Sequence, residues 1–173
     1  ATGPIVKSEN IGETRESDIN GVVSVNVTEA QDSVASSAPS AMYAAGNAVS
    51  PLVVDLQGHT LKLNANNQTA NYVSTVYVDE NKSMEIKDSK GNGVLKVSAG
   101  LGADGNADTK AKYVYGIRVG EGGNLTANTD VEIDGVKSSA TQRAYGVYVS
   151  TKGNVLFEKD LTIKNVQTAN KVG

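Results

Sequence analysis

Apolar and polar residues alternate along this chain in short bursts. The stretch "VYGIRVGEGGNLTANTDVEIDGV" (114–136) holds three of them, at 117–119, 125–127 and 131–133. The stretch "AYGVYVSTKGNVLFEKDLTIKNV" (144–166) holds three more, at 147–149, 155–157 and 161–163. Alternation at period two marks a strand with one buried face. Gly, Asn and Asp separate the bursts, and these residues tolerate the left-handed backbone of tight turns.

The two stretches are copies of one phrase, offset by 30 residues without a gap. Tyr115 aligns with Tyr145, Gly116 with Gly146, Gly123-Asn124 with Gly153-Asn154, Ile133 with Ile163 and Val136 with Val166. Positions that change are polar: Arg118 becomes Tyr148, Glu132 becomes Thr162, Asp134 becomes Lys164. A phrase of three short strands repeated at a fixed period predicts one coil of a solenoid, because a lone coil cannot bury its inner side and a stack can.

Weaker copies precede these. "TVYVDENKSMEIKDSKGNGVLKV" (75–97) keeps the three strands but delays the last by five residues, an inserted turn at "DSKGNG". "LVVDLQGHTLKLNA" (52–65) and "NGVVSVNVT" (20–28) continue the pattern. The expected fold is all-β: a single-stranded, right-handed parallel β-helix of four to five coils with three short strands each and extended loops. One domain spans 1–173, with an irregular or capping portion at 1–50 and repeat coils at 51–173. The Ala/Ser-rich stretch 28–50, interrupted by Pro39, reads as an irregular excursion with one short helix. The pattern is still running at "QTANKVG", which predicts a longer solenoid whose open end associates with copies of itself.

Composition narrows the function. The chain has 173 residues, 18 Gly, one Phe and no Cys or Trp, which suits thin coils filled by Val, Ile and Leu. A net charge of −3 argues against nucleic acid, which requires basic patches. No apolar run is long enough to span a membrane as a helix. His59 is the single histidine, so neither a two-His metal site nor a Ser-His or Cys-His catalytic set can be built within one chain. It reads as a turn residue in "QGHT". No cofactor is expected, and no catalytic residue is assigned.

Candidate sites follow from the alternation. Tyr77, Arg118 and Tyr148 flank inward pairs of Val or Ile, so they form an outward file. That file is the candidate ligand-binding surface: it can stack on sugar rings or engage acidic groups by cation–π and bidentate contacts. The plainer alternative is a cross-strand stack that only covers the sheet. Tyr115 and Tyr145 read as corner packing, and Asn124 and Asn154 as an amide ladder at a turn. "GADGNADTK" (102–110) opens like a calcium loop with Asp104, Asn106 and Asp108. Thr109 then stands where Gly is required and Tyr115 where the bidentate Glu belongs, so it reads as a polar loop.

"VVDLQGHTLKLNA", "VYVDENKSMEIKD", "YGIRVGEGGNLT" and "YGVYVSTKGNVLF" together resemble the passenger region of bacterial autotransporter proteins, over about residues 50–170. Such passengers are commonly right-handed parallel β-helices carried outside by a C-terminal β-barrel, which is absent from this chain. The resemblance implies an extracellular, outer-membrane-anchored protein acting in adhesion, aggregation or biofilm formation. Its partners would be a host or bacterial surface protein or glycan, with self-association. Loops 64–75, 98–113 and 137–144 differ most between coils and are the expected carriers of recognition. Two alternatives stand beside this: a polysaccharide-binding or polysaccharide-cleaving β-helix enzyme, and a phage tailspike-like fibre. The outward carboxylates Asp79, Glu85, Glu132 and Asp134 are scattered and do not form the paired set a glycosidase requires.

Overall fold

The computed structural model describes residues 39–44, 51–140 and 142–169 in full, with strand backbone alone at 6–7, 23–26, 31–36 and 171–172. Among the described residues every regular element is a strand. In chain order these are β1 (Val6–Lys7), β2 (Val23–Asn26), β3 (Gln31–Ser36), β4 (Met42–Ala44), β5 (Leu52–Asp55), β6 (Thr60–Ala65), β7 (Tyr72–Val78) and β8 (Ser83–Lys87). They continue as β9 (Val94–Ala99), β10 (Tyr113–Val119), β11 (Asn124–Asn128), β12 (Asp130–Lys137), β13 (Arg143–Val149), β14 (Asn154–Phe157), β15 (Leu161–Thr168) and β16 (Lys171–Val172).

Every third strand joins the same sheet. The first sheet runs β1-β4-β7-β10-β13, the second β14-β11-β8-β5-β2 and the third β16-β15-β12-β9-β6-β3. All pairings are parallel except β15 with β16, which meet antiparallel. The result is a β-solenoid of about four turns with three strands per coil. The copies sit in the register their sequences predict: Ile117 pairs Val147, Leu125 pairs Val155 and Ile133 pairs Ile163.

The core forms between coils. Leu63, Val97 and Ile133 stack in one file of the third sheet, each 2% exposed or less. Leu52, Met84 and Leu125 stack likewise in the second. Asn165 aligns with Gly135, and both hold positive φ, at 57° and 87°. Gly and Asn are the residues that accept this backbone at least cost, so the bend is written in both copies.

The turn at "DSKGNG" is an insertion, as the delayed strand predicts. Asp88 organises it, accepting from the Gly58 and Gly93 N–H groups at 2.6 and 2.5 Å. Asp55 accepts from the Gln57 and Ser89 N–H groups. Burial pulls the Asp55 carboxyl upward, but these bonds outweigh it and hold the group below its ordinary value.

The stretch 28–50 departs from the expected excursion with a helix. It carries strands at Gln31–Ser36 and Met42–Ala44, while residues 27–30, 37–38 and 45–50 lie outside the described residues. Met42 and Ala44 are buried and pair with Val76 and Val78. A three-residue strand offers too few positions for its period to show against an Ala/Ser background. No residue described forms a helix long and apolar enough to cross a membrane.

Candidate functional site

Register builds the site on the outer face of the first sheet. Each of four strands carries an inward-outward-inward phrase: Met42-Tyr43-Ala44, Val76-Tyr77-Val78, Ile117-Arg118-Val119 and Val147-Tyr148-Val149. Parallel pairing aligns Tyr43, Tyr77, Arg118 and Tyr148. The predicted file therefore exists and gains Tyr43 at one end.

Two further files lie beside it, and alternation alone does not reveal them. Counting back from Ile117 by twos points Tyr115 inward. The strand slips phase at Gly116: a Cβ there would lie 2.9 Å from Ile133 Cγ2 and 2.7 Å from the Gly146 carbonyl oxygen. Gly116 and Ile117 thus both face the core, and Tyr115 and Tyr113 turn outward. Thr75 occupies the equivalent place in β7, its buried hydroxyl donating to the Ser98 carbonyl and accepting from the Ala65 N–H. Ser74, Tyr115 and Tyr145 form the second file, and Tyr72, Tyr113 and Arg143 the third. The face thereby collects all seven tyrosines of the chain and two of its three arginines. Tyr115 and Tyr145, expected as corner packing, are strand residues within this cluster.

The rings lie one above another along the solenoid. Tyr43 and Tyr77 stack at 5.1 Å and 10°, Tyr72 and Tyr113 at 5.0 Å and 11°, Tyr115 and Tyr145 at 5.3 Å and 8°. These separations follow the coil spacing. Each ring of a stacked pair spends one face on its partner, while Tyr72 remains 45% exposed.

Arg118 sits among three of these rings. Its guanidinium carbon lies 4.7 Å from the Tyr77 centroid, 4.9 Å from Tyr72 and 5.3 Å from Tyr115, all within cation–π range. It leans towards the preceding coil, away from its register partner Tyr148. Tyr148 instead packs tilted on Tyr115 and Tyr145, each at 5.3 Å. So Tyr77 and Arg118 touch as expected, and Tyr148 joins them through Tyr115.

Hydrogen bonding separates committed from open groups. Asp79 accepts from the Tyr43 hydroxyl at 2.8 Å and the Tyr77 hydroxyl at 3.2 Å. Arg143 donates to the Tyr145 hydroxyl at 3.1 Å. Among the described residues, the Arg118 guanidinium makes no ion pair or hydrogen bond, and the hydroxyls of Tyr72, Tyr113, Tyr115 and Tyr148 have no partner. Burial pushes the Tyr115 hydroxyl up to about 12, with Arg118 pulling the other way. Burial likewise raises the Tyr77 hydroxyl; Arg118 opposes this and Asp79 adds to it.

The cluster encloses a groove of about 370 Å³. Tyr72, Tyr113, Tyr115, Tyr145 and the two arginines line one part; Asp79, Glu80 and Glu121 line the turns at the other end. Of the four outward carboxylates weighed from the sequence, only Asp79 reaches it. Glu132 pairs with Lys96 and Asp134 with Lys164, both on the third sheet.

The remaining candidates are accounted for by local bonding. The Asn154 side chain donates to the Asn124 side chain at 3.1 Å, the expected ladder. In loop 102–110, Asp104 accepts from Asn106, while Asp108 accepts from Asn66. These carboxylates do not converge, and no metal-ligating cluster occurs among the described residues. His59 lies in the turn between β5 and β6. Compared with known proteins, the chain matches no protein family, no curated protein and no solved structure.

Proposed function

We propose that this protein is an adhesive β-solenoid displayed on a bacterial surface, in the manner of an autotransporter passenger, and that its tyrosine–arginine face binds glycan. The observation that carries this reading is the gathering of every tyrosine of the chain on one outer face, three of them around a guanidinium that has no ion pair or hydrogen bond among the described residues. Tyrosine buries area at little entropic cost and brings a polar handle, which suits weak contacts repeated along a stack. Among the described residues the groove lining contains no aliphatic side chain, so a hydroxyl-rich ligand suits it better than an apolar peptide. The three variable loops support the same face: each leads from the third sheet into a strand of the first. Two of them are tied together where Asn66 and Gln68 reach Asp108.

A second reading, polysaccharide cleavage, draws on Glu80 and Glu121, which line the groove. One experiment separates the two. Purified protein is applied to a printed array of bacterial and animal glycans, and retained glycans are then incubated with it in solution and sized. Retention without shortening supports adhesion. Shortened products would replace it with the enzyme reading. No retention of any glycan, alongside a Tyr72→Ala/Tyr113→Ala variant that behaves identically, would overturn both.

A further inference from the structure

The groove has a chemical preference that glycan binding alone does not specify. Its open donors point to an anion. We infer that the ligand is an acidic glycan, and that a carboxylate or sulfate on it is held by Arg118 with the free hydroxyls of Tyr115 and Tyr113 beside it. This rests on the proposed glycan reading and narrows it.

An arginine carries five N–H donors in a rigid fork that matches carboxylate or sulfate geometry. In most partly buried settings that fork is filled by a neighbouring carboxylate. Here it is filled by nothing among the described residues, although Asp79, Glu80 and Glu121 line the same groove. The reason is positional. Asp79 is occupied by two tyrosine hydroxyls and by the Glu80 N–H. Glu80 and Glu121 stand exposed on the turns after β7 and β10. Arg118 bends the other way, to within 4.9 Å of the Tyr72 ring at the start of β7.

That bend holds a positive charge in a fixed place. Three rings surround the guanidinium, and none of their hydroxyls accepts a hydrogen bond from it among the described residues. Tyr72 stacks on Tyr113, and Tyr113 is in register with Arg143. Arg118 lies on β10 and Arg143 on β13, the next coil, so the second arginine stands about one coil spacing, or ~5 Å, along the solenoid from the first and is offset towards the start of the strands. The part of the groove between them is bounded by two cations and by phenols that can donate or accept. A negative group enters there without meeting the carboxylate end. A neutral sugar would leave the guanidinium without a charged partner in a half-buried site.

The test compares matched pairs of sugars on the wild-type protein, so it does not depend on a variant folding. The probes are galacturonate oligomers against their methyl esters, sialyllactose against lactose, and chondroitin sulfate against unsulfated chondroitin. Expected is binding of at least one acidic member, with its uncharged or less charged partner at least about tenfold weaker. Raising salt from ~50 to ~500 mM should weaken the acidic member further. Arg118→Gln should abolish the preference and Arg118→Lys restore only part of it, while Lys164→Gln, on the third sheet, leaves it intact. The first pair distinguishes a carboxylate from the third pair's sulfate. If both members of every pair bind equally, or Arg118→Gln keeps the preference, the acidic-ligand inference falls and glycan binding survives. If no sugar of either kind binds, the glycan reading falls with it.

Discussion

The coil 113–137 and the coil 143–168 carry the same phrase, pair residue for residue, and yet differ sharply in burial. Ile133 and Val119 are fully buried; their counterparts Ile163 and Val149 are 45% and 39% exposed. Val131 is 1% exposed and Leu161 36%. Nothing in the side chains accounts for this. The first coil is stacked between two coils; among the described residues the second has a coil on one side only, with just the short β16 pairing beyond it at Gln167 and Thr168. Burial in this fold is thus a property of the interface between coils, and the sequence of a single coil carries only half of it.

The largest expected effect tests that directly. Ile133→Ala should cost about 2–5 kcal/mol, since it opens a cavity between two packed coils. Ile163→Ala, the same change one coil on, should cost about 1 kcal/mol or less, because that side chain already meets solvent. Urea denaturation of both variants measures the difference. Equal losses would break the comparison and show that something covers the end coil in solution. The association expected from the open sheet edge would supply such a cover, and sedimentation at rising concentration would detect it.

Glycine sharpens the comparison at a second level. Gly116 and Gly146 align, and each makes the phase slip that turns a tyrosine outward. A Cβ on Gly116 meets the Gly146 carbonyl oxygen at 2.7 Å, backbone that cannot yield, as well as a core isoleucine. The nearest atoms to a Cβ on Gly146 all belong to the side chain of Ile163, which is 45% exposed. Gly116→Ala should therefore cost about 1–3 kcal/mol and Gly146→Ala less than about 1 kcal/mol. Gly116→Ala should also disturb the groove, because Tyr115 and Arg118 flank it. Comparable costs at the two sites would mean that the end coil is held as rigidly as the inner one.

These pairs also mark what the sequence could convey. The coil, its register and the inserted turn at 88–93 were legible, because a repeat without gaps forces like residue onto like. The file through Tyr77, Arg118 and Tyr148 was legible for the same reason. Tyr72, Tyr113, Tyr145 and Arg143 were not, because they lie beyond a phase slip that period-two counting cannot pass. A clue was present: every tyrosine of the chain falls in the phrase that opens a coil. The direction in which Arg118 leans was beyond reach, since it depends on three rings from two coils. So was the face-to-face stacking of tyrosines from successive coils.

The smallest effect is silent at neutral pH and appears only in alkali. Tyr115 belongs to the inner coil, is 4% exposed, and has its hydroxyl pushed by burial up to about 12. In the unfolded chain a tyrosine titrates near 10. Between these values the unfolded chain has released the proton while the folded protein still holds it. Raising pH therefore favours unfolding: the contribution is whole below about 10 and lost progressively as pH rises towards about 12. Tyr115→Phe has no proton to hold, so its stability should fall less steeply across that window than the wild type's. Urea midpoints taken at intervals across the window, with phenolate absorbance read in parallel, measure both slopes. Identical slopes would place the Tyr115 hydroxyl in open solvent, and the inner coil would then be no better sealed at this face than the end coil is at Ile163.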